Sequence, residues 1–97
     1  MTAMQIYILR FESANGLVTE YSVHLDYASA ASAGAALARR EWAAHTAEPF
    51  PQPADLEGLT PDEWAMDMLR DTFDVSLEVE HADIADEVVR VLAGRLV

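Results

Sequence analysis

Residues 4–11, MQIYILRF, carry β-branched and aromatic side chains on both sides of the period-2 alternation, the pattern of a strand at the centre of a sheet. Asn15-Gly16 follows, a pair that tolerates the positive φ of a type I′ hairpin turn. Residues 17–25 then alternate: Leu17, Thr19, Tyr21, Val23 and Leu25 point one way, Val18, Glu20, Ser22 and His24 the other. With Asn15 and Gly16 as the turn residues, Ala14 lies opposite Leu17, which sets Ile6 against Leu25, Ile8 against Val23 and Arg10 against Tyr21. We assign this face to the core. The other face carries Tyr7 beside His24, Leu9 beside Ser22 and Phe11 beside Glu20, so Tyr7, Leu9 and Phe11 await a cover: a helix, a partner or a second copy of the chain.

Residues 28–46 read as a helix opened by Ser29 or Ser32, with stripes at Ala30, Ala33, Leu37 and Ala44 and at Ala31, Ala35, Ala38 and Trp42. Residues 47–59 hold Pro49, Pro51 and Pro53 and form an irregular crossover pinned by Phe50, Leu56 and Leu59. Thr60-Pro61-Asp62-Glu63 starts a second helix with a capping box; it runs to about Asp71, burying Trp64, Ala65, Met68 and Leu69 and showing Asp62, Glu63, Met66, Asp67 and Asp71. Phe73, Val75, Leu77 and Val79 alternate with Asp74, Ser76, Glu78 and Glu80 as a half-buried third strand. Asp83 caps a final helix whose stripe is Ile84, Val88, Val91, Leu92 and Leu96. The expected fold is α+β, one domain over residues 1–97. A three-stranded antiparallel or mixed sheet has helices on one face, in the order ββααβα.

Charge changes the picture. The 97 residues hold 17 acidic and 6 basic side chains, a formal charge of −11, with no cysteine. Residues 1–47 contain Glu12, Glu20, Asp26 and Glu41 against Arg10, Arg39 and Arg40, a net −1; residues 48–97 hold the remaining thirteen acids against three arginines, a net −10. Phosphates repel such a chain, which argues against direct binding to nucleic acid or anionic lipid. Without cysteine there is no disulfide framework and no thiol nucleophile. No basic region followed by a long apolar stretch opens the sequence, so we expect no secretion leader and a cytoplasmic setting.

The third strand carries the sharpest expectation. Same-face residues on a strand lie about 6.7 Å apart, comparable to the phosphate step of one nucleic-acid strand. Asp74, Glu78 and Glu80 would form such a row, bordering Tyr7, Leu9 and Phe11 if the third strand pairs with the first, and continued by Asp62, Glu63, Asp67 and Asp71 on the preceding helix. The bland reading is a solvated polar face that keeps a small domain soluble. Yet a solubilising surface usually mixes signs, and one-signed charge costs stability. His24-Leu25-Asp26 and His81-Ala82-Asp83 have metal-ligand spacing on a strand, but Asp83 is assigned to a cap and nothing brings the pairs together, so no metal and no cofactor are expected. No phosphate loop, nucleophile elbow or zinc-protease motif occurs, so no catalytic residue is assigned and no enzyme is expected.

In size, acidity and mixed α+β order the chain resembles the small phage-encoded inhibitors, in particular anti-CRISPR proteins that mimic DNA. That resemblance implies a bacterial host cell, a CRISPR surveillance complex or another basic nucleic-acid-binding protein as partner, and inhibition by occupying its DNA site. The opening hairpin and helix are also similar to antitoxins with a partial RNase-H-like fold. Asp26-Tyr27-Ala28-Ser29 stands where their Pro-Asp-Leu-Pro-Gly segment would be. The alternative function is an antitoxin-like or accessory protein binding a small partner through Tyr7, Leu9 and Phe11; under either reading the chain is expected to be a monomer or a homodimer.

Overall fold

The computed structural model describes residues 3–13 and 16–85. Strands β1 (Ala3–Glu12) and β2 (Thr19–His24) form a hairpin; helices α1 (Tyr27–His45) and α2 (Pro61–Phe73) follow, and strand β3 (Ser76–Ala85) completes the order. The sheet is antiparallel with β1 in the middle, β2 on one side and β3 on the other.

The hairpin register is the expected one, with Ile8 opposite Val23, Arg10 opposite Tyr21 and Phe11 opposite Glu20. At its end the Ser13 N–H donates to the Val18 carbonyl, and the Gly16 N–H, at a left-handed φ of 72°, donates to the Ser13 carbonyl. Closure at the Ser13–Val18 pair replaces the expected two-residue turn at Asn15-Gly16, although the register is kept; Ala14 and Asn15 lie outside the described residues.

The core lies on the opposite face from the one assigned. Leu9 and Phe11 are 3% and 0% exposed, whereas Tyr21 and Leu25 are 65% and 68% exposed. The reason is β3. Its register sets Leu77 opposite Phe11 and Val79 opposite Leu9, so two strands offer apolar side chains to this face. Both helices cover it, and Leu9, Phe11, Leu77, Leu69, Met66 and Trp42 belong to one buried cluster. Ile6 is also buried, outside that cluster.

α1 can lie close to the sheet because its inner face is made of small residues: Ala30, Ala31, Gly34, Ala35 and Ala38 are buried with Trp42, while Ala44 is exposed. Gly34 marks the closest approach. A Cβ there would collide with the Met66 Sδ and lie 3.2 Å from the Leu9 Cδ1. Met66 is therefore buried, not displayed, and Trp64 and Met68 are only half-buried. The cap of α1 is Asp26, whose carboxylate accepts the Ser29 N–H at 2.7 Å, in place of Ser29 or Ser32.

The Pro-rich crossover runs without regular structure and is held by half-buried Phe50, Leu56 and Leu59. Phe50 packs edge-on against Trp42, with centroids 5.2 Å apart, and the Trp42 indole N–H donates to the Glu48 carbonyl at 3.0 Å. α2 opens with the expected capping box at Thr60 and Glu63 and extends through Phe73, two residues past Asp71. Two expectations fail at the end of the chain. Asp74 closes α2 in the left-handed conformation instead of lying in β3, and Asp83 lies in β3 opposite Gln5 instead of capping a helix. Ile84 also falls within β3, and the rest of the expected final helix lies outside the described residues.

Candidate partner-binding surface

The sheet has two free-standing sides and they differ in chemistry. On the β3 side, α2 delivers acidic residues and then turns directly into the strand. Its first carboxylate, Asp62, is half-buried in the opening turn, where the positive end of the helix dipole favours it. Glu63 is fully occupied by structure: one carboxylate oxygen accepts the Thr60 N–H at 2.9 Å and the other accepts the Tyr27 hydroxyl at 2.7 Å. The Thr60 backbone donor, then the Tyr27 hydroxyl, hold its carboxyl below the usual glutamate value, and the same bond raises the Tyr27 hydroxyl above its ordinary value.

Asp67 pairs with Arg70 one turn later. Arg70 also donates to the Leu77 carbonyl at 3.1 Å, tying α2 to the start of β3. Asp71 and Asp74 are exposed, and so are Glu78 and Glu80. The last two do form a same-face row, but not beside Tyr7, Leu9 and Phe11. Register places Glu78 opposite Arg10 and Glu80 opposite Ile8, on the face turned away from the helices. Arg10 Nη2 lies 3.4 Å from Glu78 and 3.9 Å from Glu80, contacts too long and too exposed to neutralise the row firmly. A cleft of about 440 Å³ runs between α2 and β3, lined among others by Glu63, Asp67, Arg70 and Glu78 over Met66 and Leu77.

The apolar trio separates in a different way. Leu9 and Phe11 are core residues, packed in the cluster under the helices. Tyr7 is half-buried, its ring edge-on to Tyr27 at 5.9 Å and tilted against His81 at 6.3 Å. Exposed Asp71, Asp74, Glu78 and Glu80 follow one another from the end of α2 into β3, Asp67 is paired with Arg70, and Leu9, Phe11 and Glu63 are engaged within the fold. Arg70 was not singled out by sequence reasoning, although a base in the last turn of an acidic helix, seven residues before an apolar strand position, was the available signal.

Among the described residues no three His, Asp or Glu side chains converge as a metal site would require, and no helix is long and apolar enough to cross a membrane. No protein-family model matches the chain, and neither a characterised protein nor a solved structure matches it significantly.

Proposed function

We propose that this chain is a non-enzymatic inhibitor that occupies the basic, nucleic-acid-binding surface of a protein complex in a bacterial cytoplasm, as an anti-CRISPR protein excluding target DNA would. One observation supports the reading above the rest. Between Glu48 and Asp83 the chain holds eleven acids and one base, and that base, Arg70, is already engaged by Asp67 and the Leu77 carbonyl. Asp71, Asp74, Glu78 and Glu80 are left exposed along the run from α2 into β3. Carboxylates so placed engage Arg and Lys side chains that otherwise hold phosphates, through charge-assisted hydrogen bonds and a field that speeds encounter. The alternative, a small-partner binder using Tyr7, Leu9 and Phe11, loses its surface to the burial of Leu9 and Phe11.

The test is capture of a CRISPR surveillance complex from a nuclease-treated bacterial lysate by the immobilised chain, at low and high salt, with target DNA as competitor. The parent should capture the complex, release it as salt rises, and yield to the DNA. A combined Asp74→Asn, Glu78→Gln and Glu80→Gln variant should fold and capture little. Equal capture by parent and variant, indifferent to salt, would refute the proposal.

A further inference from the structure

The β2 side of the sheet is built in the opposite way. Among the described residues every well-exposed large hydrophobic side chain lies between Leu17 and Tyr27, and Tyr21 and Val23 share the face of the edge strand turned away from the helices. Part of the β2 backbone also points outward. The Ser13 N–H bonds to the Val18 carbonyl, so that pair is a bonded one. Strict alternation along the antiparallel ladder then turns the N–H and C=O groups of Thr19, Tyr21 and Val23 away from β1. The far edge agrees with this count, because the same alternation turns Leu77 outward, and its carbonyl is the one Arg70 takes.

Edge strands are normally blunted by charge, proline, a bulge or a cover. β2 has no proline, and its one carboxylate, Glu20, lies on the helix-side face in contact with Arg40. A cleft of about 330 Å³ between β2 and α1 is lined by Leu9, Ala33, Ala36 and Leu37 together with the paired Glu20 and Arg40.

We infer that β2 pairs antiparallel with β2 of a second copy, joining two sheets into one of six strands. Identical strands always meet such a two-fold pairing in the right direction. The outward groups fit a register centred on Ser22, which sets Tyr21 opposite Val23 and Glu20 opposite His24 instead of like charges opposite each other. Charge opposes a copy of this chain least at this side. Residues 1–47, which include all of β2 and α1, net only −1, while the strongly acidic β3 sides end up at the two far ends of the joined sheet, about five strand spacings or 24 Å apart.

Sedimentation or light scattering across a concentration series measures this directly. The parent should reach twice the chain mass, with the dimer unweakened by salt. Val23→Pro removes one outward N–H without touching the bonds to β1, a substitution that edge strands accept, and should abolish the dimer while circular dichroism is retained. If that variant does not fold, Tyr21→Lys at an exposed position carries the same expectation. A parent that stays monomeric throughout, or a folded variant that dimerises like the parent, overturns the inference. Heterologous capture of some other protein on this strand by a monomeric parent overturns it too. None of these outcomes bears on the salt-sensitive capture assigned to the β3 side.

Discussion

β2 and β3 flank the same central strand in the same antiparallel sense, yet one edge is apolar and the other acidic. At the β3 edge an outward carbonyl is taken by Arg70, and Glu78 and Glu80 stand on the strand beyond it. At the β2 edge the outward groups are flanked by Tyr21 and Val23. The lesson is that fold and recognition divide between different parts of one small sheet. The strand that both edges share supplies the core, and each edge is left to carry its own chemistry.

The comparison breaks completely if the shared strand fails. Phe11→Ala empties the centre of the core and should cost about 3–5 kcal/mol in urea denaturation. Both edges should lose hydrogen-exchange protection together; loss at one edge alone would show that they are independent units. Gly34→Ala is the next largest. Its methyl group meets Met66 and Leu9, and the overpacking should cost about 1–3 kcal/mol by thermal melting. A neutral result would mean that Met66 swings aside freely.

Arg70→Gln acts on the β3 edge only. Leaving the Leu77 carbonyl without its donor should cost about 0.5–1.5 kcal/mol. It should create no new self-association, because Glu78 and Glu80 still repel a second copy there; aggregation of this variant would show that Arg70 alone blunts the edge. The smallest effect is in pH. Glu63 has its carboxyl held down in the folded chain, so its contribution is present at neutral pH and is lost as pH falls through that lowered value. The melting temperature of Glu63→Gln should lie below the parent's at pH 7, and the gap should close in acid. A gap independent of pH would mean that shape, not charge, does the capping.

Much of this arrangement was legible in sequence. The alternation of β2 gave the hairpin register to the residue but not its turn, because Ser13 and Val18 form the bonded pair that closes it in place of a two-residue Asn15-Gly16 turn; Thr60-Pro61-Asp62-Glu63 marked the start of α2 because each residue meets a local demand. The choice of core face was not legible from the hairpin, since its two strands point opposite ways. β2 places its hydrophobics on the face of Ile8, and β1 places Leu9 and Phe11 on the other. The deciding term is non-local: Leu77 and Val79 arrive from β3 on the side of Phe11 and Leu9. Arg10, among the apolar residues of the Ile8 face, weighed against that face but did not by itself decide it. Met66 and Gly34 were missed for a related reason, because neither stripe nor propensity reports that two helices touch where a side chain is absent. Glu78 and Glu80 do share an exposed face of β3, though not the face of Leu9 and Phe11, and Asp74 falls outside the row because its backbone turns left-handed before the strand begins.

That last residue carries a cost of its own. A left-handed position at a helix end suits glycine, and a carboxylate there opposes the negative end of the helix dipole. Asp74 is unfavourable on both counts, so Asp74→Gly should make the fold more stable by up to about 1 kcal/mol. If the same change weakens capture of the basic complex, the chain is giving up rigidity at one residue in exchange for recognition, and selecting hardier variants would select against binding.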